Sequence, residues 1–465
     1  MKVLILGAGQ VGGIVAENLV DDTNEISVID NNEKQLELLQ ERYDLRGLLG
    51  DAASPRILSS AGAMDADIII AVTASDETNL VACTLASQLF NIPVRIARVR
   101  NSELRHYPRI LGEEGFHATS VIWPEQALAS HVSKLIMFPA AQQVLSLAGG
   151  NLTLFTVRAV AGASLVGRSL REIFIQLPNA RMRFVSIYRR NHRQVCRPDT
   201  VIEAGDEVTV LTMTEDAHDV IATLHTNEKA ENIVIINGGT LSPLVVEALE
   251  PQRNKRNIKI FESDEHTANE LSHQFNNSRV SVSLIKNKDP VALSQEGIGQ
   301  ADVVLTLSHK EEENIMSALL AKRLGAKRTI VLLERQVYSN IVYGTDIDVT
   351  VSLTQTSLGE LLRHIRFGDV VSAQELYRRE SEVIEIVAHG SRKSSKVVGR
   401  TLGEIDFPQG VMVGAVCRGE GEGMQILLAE ASIEVQSGDH MILFIPNKKV
   451  LPKLEALFAV DVGFF

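Results

Sequence analysis

The chain opens with a short apolar segment that runs directly into a glycine-rich turn. The segment from Val3 to Leu6 has the length and composition of a buried parallel strand. Gly7, Gly9 and Gly12 follow at the spacing G-x-G-x-x-G, and the residues after Gly12 continue with the apolar spacing of a helix. Few folds accommodate this order of strand, tight turn and helix. It predicts the first β-α-β unit of an α/β fold with a Rossmann-like, doubly wound parallel sheet.

Each glycine of this turn has a separate physical role. Gly7 permits the tight turn, Gly9 lets a pyrophosphate approach the backbone, and Gly12 lets the helix pack closely on the strand. The amides and the positive dipole end of the helix then face the phosphates. A second strand ends at Asp30, 23 residues after Gly7, where a carboxylate can accept both ribose hydroxyls and would repel a 2′-phosphate. The pattern favours an NAD-type nucleotide over NADP; the alternative is a Rossmann turn that has lost its ligand.

Length and charge restrict the classes of protein that the chain can belong to. At 465 residues, it is expected to form about three domains or more. The net charge of −12 argues against a nucleic-acid partner and against adhesion to anionic lipid. The absence of a long apolar run and of a leader pattern predicts neither a transmembrane helix nor a signal peptide. The three cysteines lie far apart in sequence, which fits a reducing cytosol and offers no metal-ligand pair.

Two halves of the chain repeat the same sequence of elements. Strands and helices alternate up to residue 123, short strands typical of a small α+β domain follow from about Asn151, and the alternation restarts at Asn232. Short motifs recur at offsets between 232 and 235 residues: Ala66-Asp67 with Ala301-Asp302, Gly167 to Leu170 with Gly399 to Leu402, and Gly205-Asp206 with Gly438-Asp439. Agreement across different elements predicts a tandem duplication of one unit, a Rossmann-like domain followed by a small α+β subdomain.

The repeat assigns the chain to six segments. They are a first Rossmann-like domain at 1–123, a crossover helix and linker at 124–150, a first small subdomain at 151–230, a second Rossmann-like domain at 231–353, a linker helix at 354–376 and a second small subdomain at 377–458.

The two copies differ where a nucleotide would bind. When the copies are aligned by their first strands, the second copy has Asn237 at the position of Gly7, Ser242 at that of Gly12 and Glu262 at that of Asp30. It keeps the second glycine, with Gly239 at the position of Gly9. The Gly50-Asp51 turn becomes approximately Ile285-Lys286. Asparagine can still adopt the left-handed turn at some cost, whereas serine adds a side chain at the closest contact of helix and strand. The second copy is therefore either a second nucleotide site or a structural copy.

The combined motifs resemble a known family. The segments from Leu6 to Gly12 and from Val72 to Asn79, together with Asp30 and Gly50-Asp51, resemble the RCK (KTN) domains that regulate potassium transport. The small subdomains, with Val166 to Leu170 and Val398 to Leu402, resemble the RCK C-terminal subdomain. The resemblance implies a regulatory subunit that forms a homo-tetrameric gating ring of eight RCK units. It also implies docking on the cytosolic face of a potassium-translocating membrane subunit, with NAD(H), ADP or ATP as the regulatory ligand.

The resemblance also implies which residues form the nucleotide site. The phosphate turn would be formed by Gly7, Ala8, Gly9, Gln10 and Val11. Asp30 would take the ribose, and Asp51 and Ala52 the adenine side. Thr73 and Ala74 would lie at the carboxyl edge of the sheet, and Arg98 and Arg100 near the phosphates. No catalytic or metal-binding residue is expected.

Two other functions compete with a ligand-gated regulator. An NAD-dependent oxidoreductase would need a proton-transfer residue near the nicotinamide. The histidines of the first small subdomain, His192, His218 and His225, have no acidic partner at triad-like spacing. A purely structural ring scaffold would need no intact nucleotide site, and changes at Gly9 or Asp30 would leave potassium uptake unaltered.

Overall fold

The computed structural model describes residues 1–20, 24–177, 181–190, 192–225, 229–249, 256–275, 279–286, 290–342, 344–365, 370–376, 381–419 and 421–460. Within these residues the strands form two parallel sheets of six strands and two antiparallel sheets of five strands. The duplicated α/β architecture predicted from the sequence is thereby confirmed. No helix in the described part of the chain is long and apolar enough to cross a membrane.

The first parallel sheet has the strand order β3-β2-β1-β4-β5-β6. The order reverses between β1 and β4, which places a crevice at the carboxyl ends of these two strands. The elements are β1 Lys2–Leu6, α1 Gln10–Leu19, β2 Glu25–Asp30, α2 Glu33–Gln40, β3 Arg46–Leu49, α3 Pro55–Ser60, β4 Ile68–Ala71, α4 Asp76–Gln88, β5 Val94–Arg98, α5 Pro108–Leu111, β6 Ser120–Ile122 and α6 Pro124–Met137.

The first antiparallel sheet follows with the order β10-β9-β11-β8-β7. Its elements are β7 Ala141–Leu147, β8 Leu152–Arg158, α7 Leu170–Gln176, β9 Met182–Arg189, β10 His192–Gln194, β11 Glu207–Met213 and α8 Ala217–Leu224. The segment 124–150 was predicted as helix and linker, but its last part is the edge strand β7 of this sheet. The run from Ala141 to Leu147 alternates too weakly for its strand character to be recognised without its partner β8.

The second half repeats both sheets. The parallel sheet has the order β14-β13-β12-β15-β16-β17 and the antiparallel sheet β18-β19-β22-β20-β21. The elements are β12 Asn232–Ile236, α9 Leu241–Ala248, β13 Asn257–Glu262, α10 Glu265–Gln274, β14 Val280–Leu284, α11 Pro290–Gln295, β15 Val303–Thr306, α12 Glu311–Leu324, β16 Arg328–Leu332, α13 Gln336–Val342, β17 Val349–Val351, α14 Leu353–Ile365, β18 Val370–Glu375, β19 Glu382–Ala388, β20 Met412–Arg418, β21 Gln425–Leu428, β22 Asp439–Ile445 and α15 Leu451–Phe458. The segment 354–376, predicted as a linker helix, therefore also contains an edge strand, β18.

The chain divides into two compact units that do not follow the order of the sequence. One unit holds residues 1–130, 332–341 and 351–365, and the other holds the remaining described residues. In the first unit, α14 lies against α1 and β6, and Ser120 Oγ and His364 Nδ1 share a hydrogen bond of 3.1 Å. A helix of the second copy thus completes the first Rossmann-like domain.

The second unit includes the end of α6, from His131 onward. The guanidinium of Arg328, at the start of β16, donates to the carbonyl oxygens of Leu135 and Phe138, each at 3.3 Å. It also donates to the carbonyl oxygens of Pro139 and Ala141. A cation at the carboxyl end of a helix is favoured by the helix dipole. In the same unit, apolar residues of the two antiparallel sheets form one shared core.

The repeated motifs are explained by the same hydrogen bonds in both copies. Asp67 Oδ2 accepts the amide of Lys2 at 2.7 Å, and Asp302 Oδ2 accepts the amide of Asn232 at 2.8 Å. Each aspartate therefore holds the first strand of its parallel sheet beside the fourth.

In each small subdomain the aspartate of the repeated Gly-Asp turn forms an ion pair with an arginine. Asp206 accepts two hydrogen bonds from Arg189, at 2.9 and 2.8 Å, and Asp439 accepts two from Arg418, both at 2.8 Å. Both carboxylates are 1% exposed, so each is a buried anion with a bidentate partner.

Candidate nucleotide site

The glycine turn after β1 has the geometry that its sequence predicts. Gly7 has φ +106°, and its amide donates to Ile29 O at 2.8 Å. A Cβ at Gly7 would lie 3.1 Å from Val72 O, and a Cβ at Gly12 would lie 1.8 Å from Gly7 O. Both positions therefore require glycine, one for its backbone conformation and the other for the close approach of α1 to the turn.

The side of the turn that faces the crevice is open. A Cβ built on Gly9 would meet no atom within 4 Å, and Gly9 and Gln10 are exposed. Among the described residues, no acceptor is hydrogen-bonded to the amides of Gly9, Gln10 or Val11. The Val11 side chain is buried, so this residue can offer only its backbone. The turn thus presents free amides at the amino end of α1, which is the arrangement that binds phosphate.

Asp30, at the end of β2, is held beside this turn. Its Oδ2 accepts the amide of Ala8 at 2.5 Å and its Oδ1 accepts the amide of Asn32 at 2.7 Å. The residue is half-buried, and each carboxylate oxygen retains lone pairs beyond these bonds. The carboxylate is therefore fixed in position and can still accept the hydroxyls of a ribose.

The turn after β3 lies next to Asp30. The amide of Gly50 donates to Asp30 O at 2.9 Å. The Asp51 side chain is exposed and accepts the amide of Ala53 at 2.9 Å, whereas the Ala52 side chain belongs to the buried core. Ala52 can therefore contact a ligand only through its backbone.

Thr73 and Ala74 follow β4 at the carboxyl edge of the sheet, and a buried amide that the sequence interpretation missed fixes this segment. Asn79 Oδ1 accepts hydrogen bonds from the amide and the hydroxyl of Thr73, at 2.9 and 2.7 Å. Asn79 Nδ2 donates to Arg98 O at 2.9 Å. Ala74 is exposed. Asn79 thus joins the ends of β4 and β5. The sequence contained a signal for this role, because Asn314 repeats Asn79 at the same position of the second copy.

Arg98 ends β5 and provides a cation at the carboxyl edge of the sheet. Its side chain is 11% exposed, its Nη2 lies 3.9 Å from Glu125 Oε1 in the first turn of α6, and its buried Nε has no hydrogen-bond partner among the described residues. Burial lowers the pKa of Arg98, and the nearby Arg100 lowers it further, while Glu125, Asp76 and Glu334 act in the opposite direction. Arg98 is a partly desolvated cation whose ion pair with Glu125 is long, which suits it to a phosphate oxygen. The Arg100 side chain is exposed, and its amide donates to Asp76 Oδ2 at 2.9 Å.

The corresponding positions of the second copy keep the fold of the site but change its chemistry. Asn237 adopts φ +48°, and its amide donates to Phe261 O at 2.8 Å, as the amide of Gly7 does to Ile29 O. Asn314 repeats Asn79 by pairing with the backbone of Ser308, with bonds of 2.9 and 2.7 Å. The predicted left-handed asparagine is confirmed.

The two arginines of the first copy have no basic counterpart in the second. The amides of Val99 and Leu333 both donate to the strand that follows, to Ile122 O at 3.0 Å and to Val351 O at 2.9 Å, which aligns the two copies at these residues. Leu332 therefore takes the position of Arg98 and Glu334 that of Arg100. At these two aligned positions, only the first copy carries positive charge.

Comparison with known proteins agrees with this duplicated organisation. The sequence model of the TrkA-N domain matches residues 3–124 and 233–353, and that of the TrkA-C domain matches residues 154–225 and 392–459. The Trk system potassium uptake protein TrkA of Haemophilus influenzae is 40% identical over 469 residues, covering 100% of both chains. The protein of the same name from Vibrio alginolyticus is 40% identical over 460 residues, covering 98% of each chain.

A solved structure supports the fold independently of close sequence similarity. The crystal structure of the GsuK RCK domain superposes with a TM-score of 0.60 at 18% identity and covers 98% of this chain and 95% of that chain. The resemblance to RCK domains is thus confirmed for the fold. With TrkA-N and TrkA-C domains matched twice in tandem and full-length relatives at 40% identity, the chain belongs to the TrkA family of potassium uptake proteins.

Proposed function

We propose that the chain is a nucleotide-responsive regulatory subunit of a potassium uptake system, and that it acts by gating rather than by catalysis. In this proposal the first Rossmann-like domain binds NAD(H), ADP or ATP. Four chains form a ring that docks at the cytoplasmic face of a potassium-translocating membrane subunit of the TrkH or TrkG kind. The ligand changes ring geometry because two ring states differ in nucleotide affinity, with a coupling free energy of about 1–3 kcal/mol.

The observation that carries the proposal is the set of amides at Gly9, Gln10 and Val11, which have no acceptor among the described residues, next to Asp30 and at the same sheet edge as Arg98. This set offers one group for each part of an adenosine diphosphate. The amides and Arg98 suit the phosphates and Asp30 suits the ribose. The names of the full-length relatives supply the link to potassium uptake.

The binding part of the proposal is tested with Asp30→Ala in the full chain. The carboxylate contributes hydrogen bonds to a charged acceptor, each worth about 1.5–3 kcal/mol, so we expect at least a tenfold weaker affinity for ADP and NADH in calorimetric titration. Asp44→Ala, which removes an exposed carboxylate of the same domain, is the matched control and should bind as the wild type does. Unchanged affinity in Asp30→Ala, or no binding by the wild type, overturns the proposed site.

The regulatory part is tested in potassium-depleted cells that lack their own copy of this subunit. We expect Asp30→Ala to alter the dependence of potassium uptake on the chain, and Asp44→Ala to leave it as in the wild type. Equal uptake with all three would favour a structural scaffold. Reduction of keto acids by NADH, or oxidation of hydroxy acids by NAD+, with the purified chain would instead favour the oxidoreductase alternative.

A further inference from the structure

We propose that Glu262 excludes nucleotide from the second Rossmann-like domain because its own carboxylate occupies the phosphate turn. The domain would then hold its own carboxylate on the amide that in the first domain has no acceptor among the described residues. This inference concerns the second copy and rests on its own contacts. It extends the proposed function only by assigning one nucleotide site to each chain.

Glu262 and Asp30 occupy the same position in the two copies. Each ends the second strand of its parallel sheet. The carbonyl oxygen of Asp30 accepts the amide of Gly50 at 2.9 Å, and that of Glu262 accepts the amide of Ile285 at 2.8 Å. Because the backbones correspond, a difference in what the two carboxylates contact arises from the side chains.

The longer side chain reaches one residue further into the turn. Asp30 accepts the amide of Ala8 and leaves the amide of Gly9 without an acceptor in the described residues. Glu262 Oε1 accepts a hydrogen bond of 2.9 Å from the amide of Gly239, which corresponds to Gly9. The amide of Gly238 also favours the charged carboxylate and lowers its pKa. One additional methylene group thus places an anion on the amide that would otherwise face a phosphate.

The burial of Glu262 distinguishes an internal anion from a ribose acceptor. The residue is 4% exposed, whereas Asp30 is half-buried. Burial raises the pKa of Glu262, the amide of Gly239 opposes this effect, and the nearby Asp264 adds to it. A buried carboxylate is retained where amides compensate its desolvation, and the amino end of α9 supplies them here.

Two further differences separate the second copy from the first. A Cβ on Gly238 would lie 2.3 Å from Ser242 Oγ, which shows that the serine in place of Gly12 fills the inner side of the turn. In the alignment of the two copies, Leu332 and Glu334 take the positions of Arg98 and Arg100. The Glu262 carboxylate and a ligand phosphate would compete for the same amides. The carboxylate has the advantage because it is part of the chain and loses no translational freedom on binding.

Hydrogen exchange of the intact chain, followed by mass spectrometry of peptides, tests the inference at the amides concerned. In the wild type, saturating ADP should slow exchange in the peptide at 7–13 and leave the peptide at 237–243 unchanged. In Glu262→Ala, we expect exchange at 237–243 to be roughly tenfold faster, since the charged acceptor is gone, and to slow again in inorganic phosphate. Glu265→Ala, which removes an exposed carboxylate of α10, is the matched control and should show neither effect.

Each outcome decides for or against the inference. Protection of 237–243 by ADP in the wild type, or wild-type exchange rates there in Glu262→Ala, overturns it. If Glu262→Ala does not fold, Glu262→Gln replaces it: a neutral acceptor should exchange faster at 237–243 than the wild type, and equal rates overturn the inference. If ADP protects neither peptide, the nucleotide proposal for the first domain fails, and the Glu262 variants still decide this one.

Discussion

The substitution Gly9→Ala separates the requirements of the fold from those of the ligand. Gly9 has φ −70° and ψ −167°, a conformation that alanine adopts, and its added Cβ would meet no protein atom within 4 Å. Reduced freedom of the unfolded chain would stabilise the variant by about 0.4–1 kcal/mol, and alanine as a helix N-cap costs a similar amount. We therefore expect the free energy of unfolding without ligand to change by less than about 1 kcal/mol.

The same methyl group lies where the pyrophosphate must approach the backbone. Forcing a methyl group into a close contact costs about 1–3 kcal/mol, which corresponds to a loss of nucleotide affinity of roughly fivefold to 150-fold. At a ligand concentration of 100 times the wild-type Kd, the wild-type domain gains about 2.7 kcal/mol from binding. A variant with a hundredfold weaker affinity would gain only about 0.4 kcal/mol under the same conditions.

The single tryptophan makes this measurement specific to the first domain. Trp123 packs against the core of that domain, so its emission during urea unfolding reports the transition of the domain that carries the turn. Titration with ADP gives the affinity, and unfolding with and without ADP gives the stabilisation. Gly13→Ala is the control, because its Cβ would face the flexible end of Leu39 at 3.3 Å. If Gly9→Ala binds ADP with the affinity of the wild type, the phosphates do not pass close to Gly9. If Trp123 emission shows no unfolding transition in this variant, the domain does not tolerate a methyl group at Gly9.

Three further predictions test contacts elsewhere in the chain. Asp439→Ala leaves Arg418 without its buried bidentate partner, and we expect thermal unfolding monitored by circular dichroism to show a loss of about 2–4 kcal/mol. For Asp302, burial alone would raise the pKa, but hydrogen bonds from Lys327 and from two backbone amides outweigh it and lower the pKa. Its stabilising contribution is therefore present above about pH 3.8 and is lost as the pH falls through the lowered pKa, so acid titration should destabilise the wild type more steeply than Asp302→Asn. Glu125→Gln frees Arg98 from its carboxylate partner, and calorimetric titration should show a roughly twofold to fivefold tighter affinity for ADP.

These three predictions have separate controls. Glu434→Ala changes a residue beside Arg418 without removing the bidentate carboxylate and should cost less than Asp439→Ala. Identical acid titrations of the wild type and Asp302→Asn would show that the lowered pKa has no effect on stability. An unchanged or weaker affinity in Glu125→Gln would show that Arg98 does not contribute to phosphate binding in its observed position.

The parts of the fold that the sequence predicts correctly are those encoded by neighbouring residues. The glycine turn, the central strands and the repeat offsets depend on local spacing, and the structure shows the reason in the positive φ of Gly7 and in the Asp302 contact. The missed features involve partners that are far apart in sequence. Arg328 contacts carbonyl groups nearly 200 residues away, with separations of 187 to 193 residues, and no local pattern around it distinguishes this contact from an exposed arginine.

The exchange of segments between the two halves was equally inaccessible to sequence analysis. The helix α14 follows β17 as α6 follows β6, and both have the length and spacing of an ordinary crossover helix. Whether such a helix packs on its own sheet or on another depends on tertiary contacts, such as the pair of Ser120 and His364. For the same reason β7 and β18 were assigned to linkers, because an edge strand is recognised mainly by the strand beside it.

Comparison of the two Rossmann-like copies separates the residues that the fold needs from those that a phosphate needs. Where a residue holds the backbone, the second copy keeps its function: Asn237 reproduces the turn of Gly7, and Asn314 pairs with the backbone of Ser308 as Asn79 pairs with that of Thr73. At the two positions that the nucleotide proposal assigns to phosphate, the second copy has leucine and glutamate in place of the two arginines. Random loss would also weaken the turn itself, since its geometry depends on a few atoms in close contact. The turn persists in this copy with the Gly239 amide bonded to Glu262, which indicates that it is retained as a structural element, whereas the Gly9 amide of the first copy has no acceptor among the described residues and is the one that we propose binds a nucleotide.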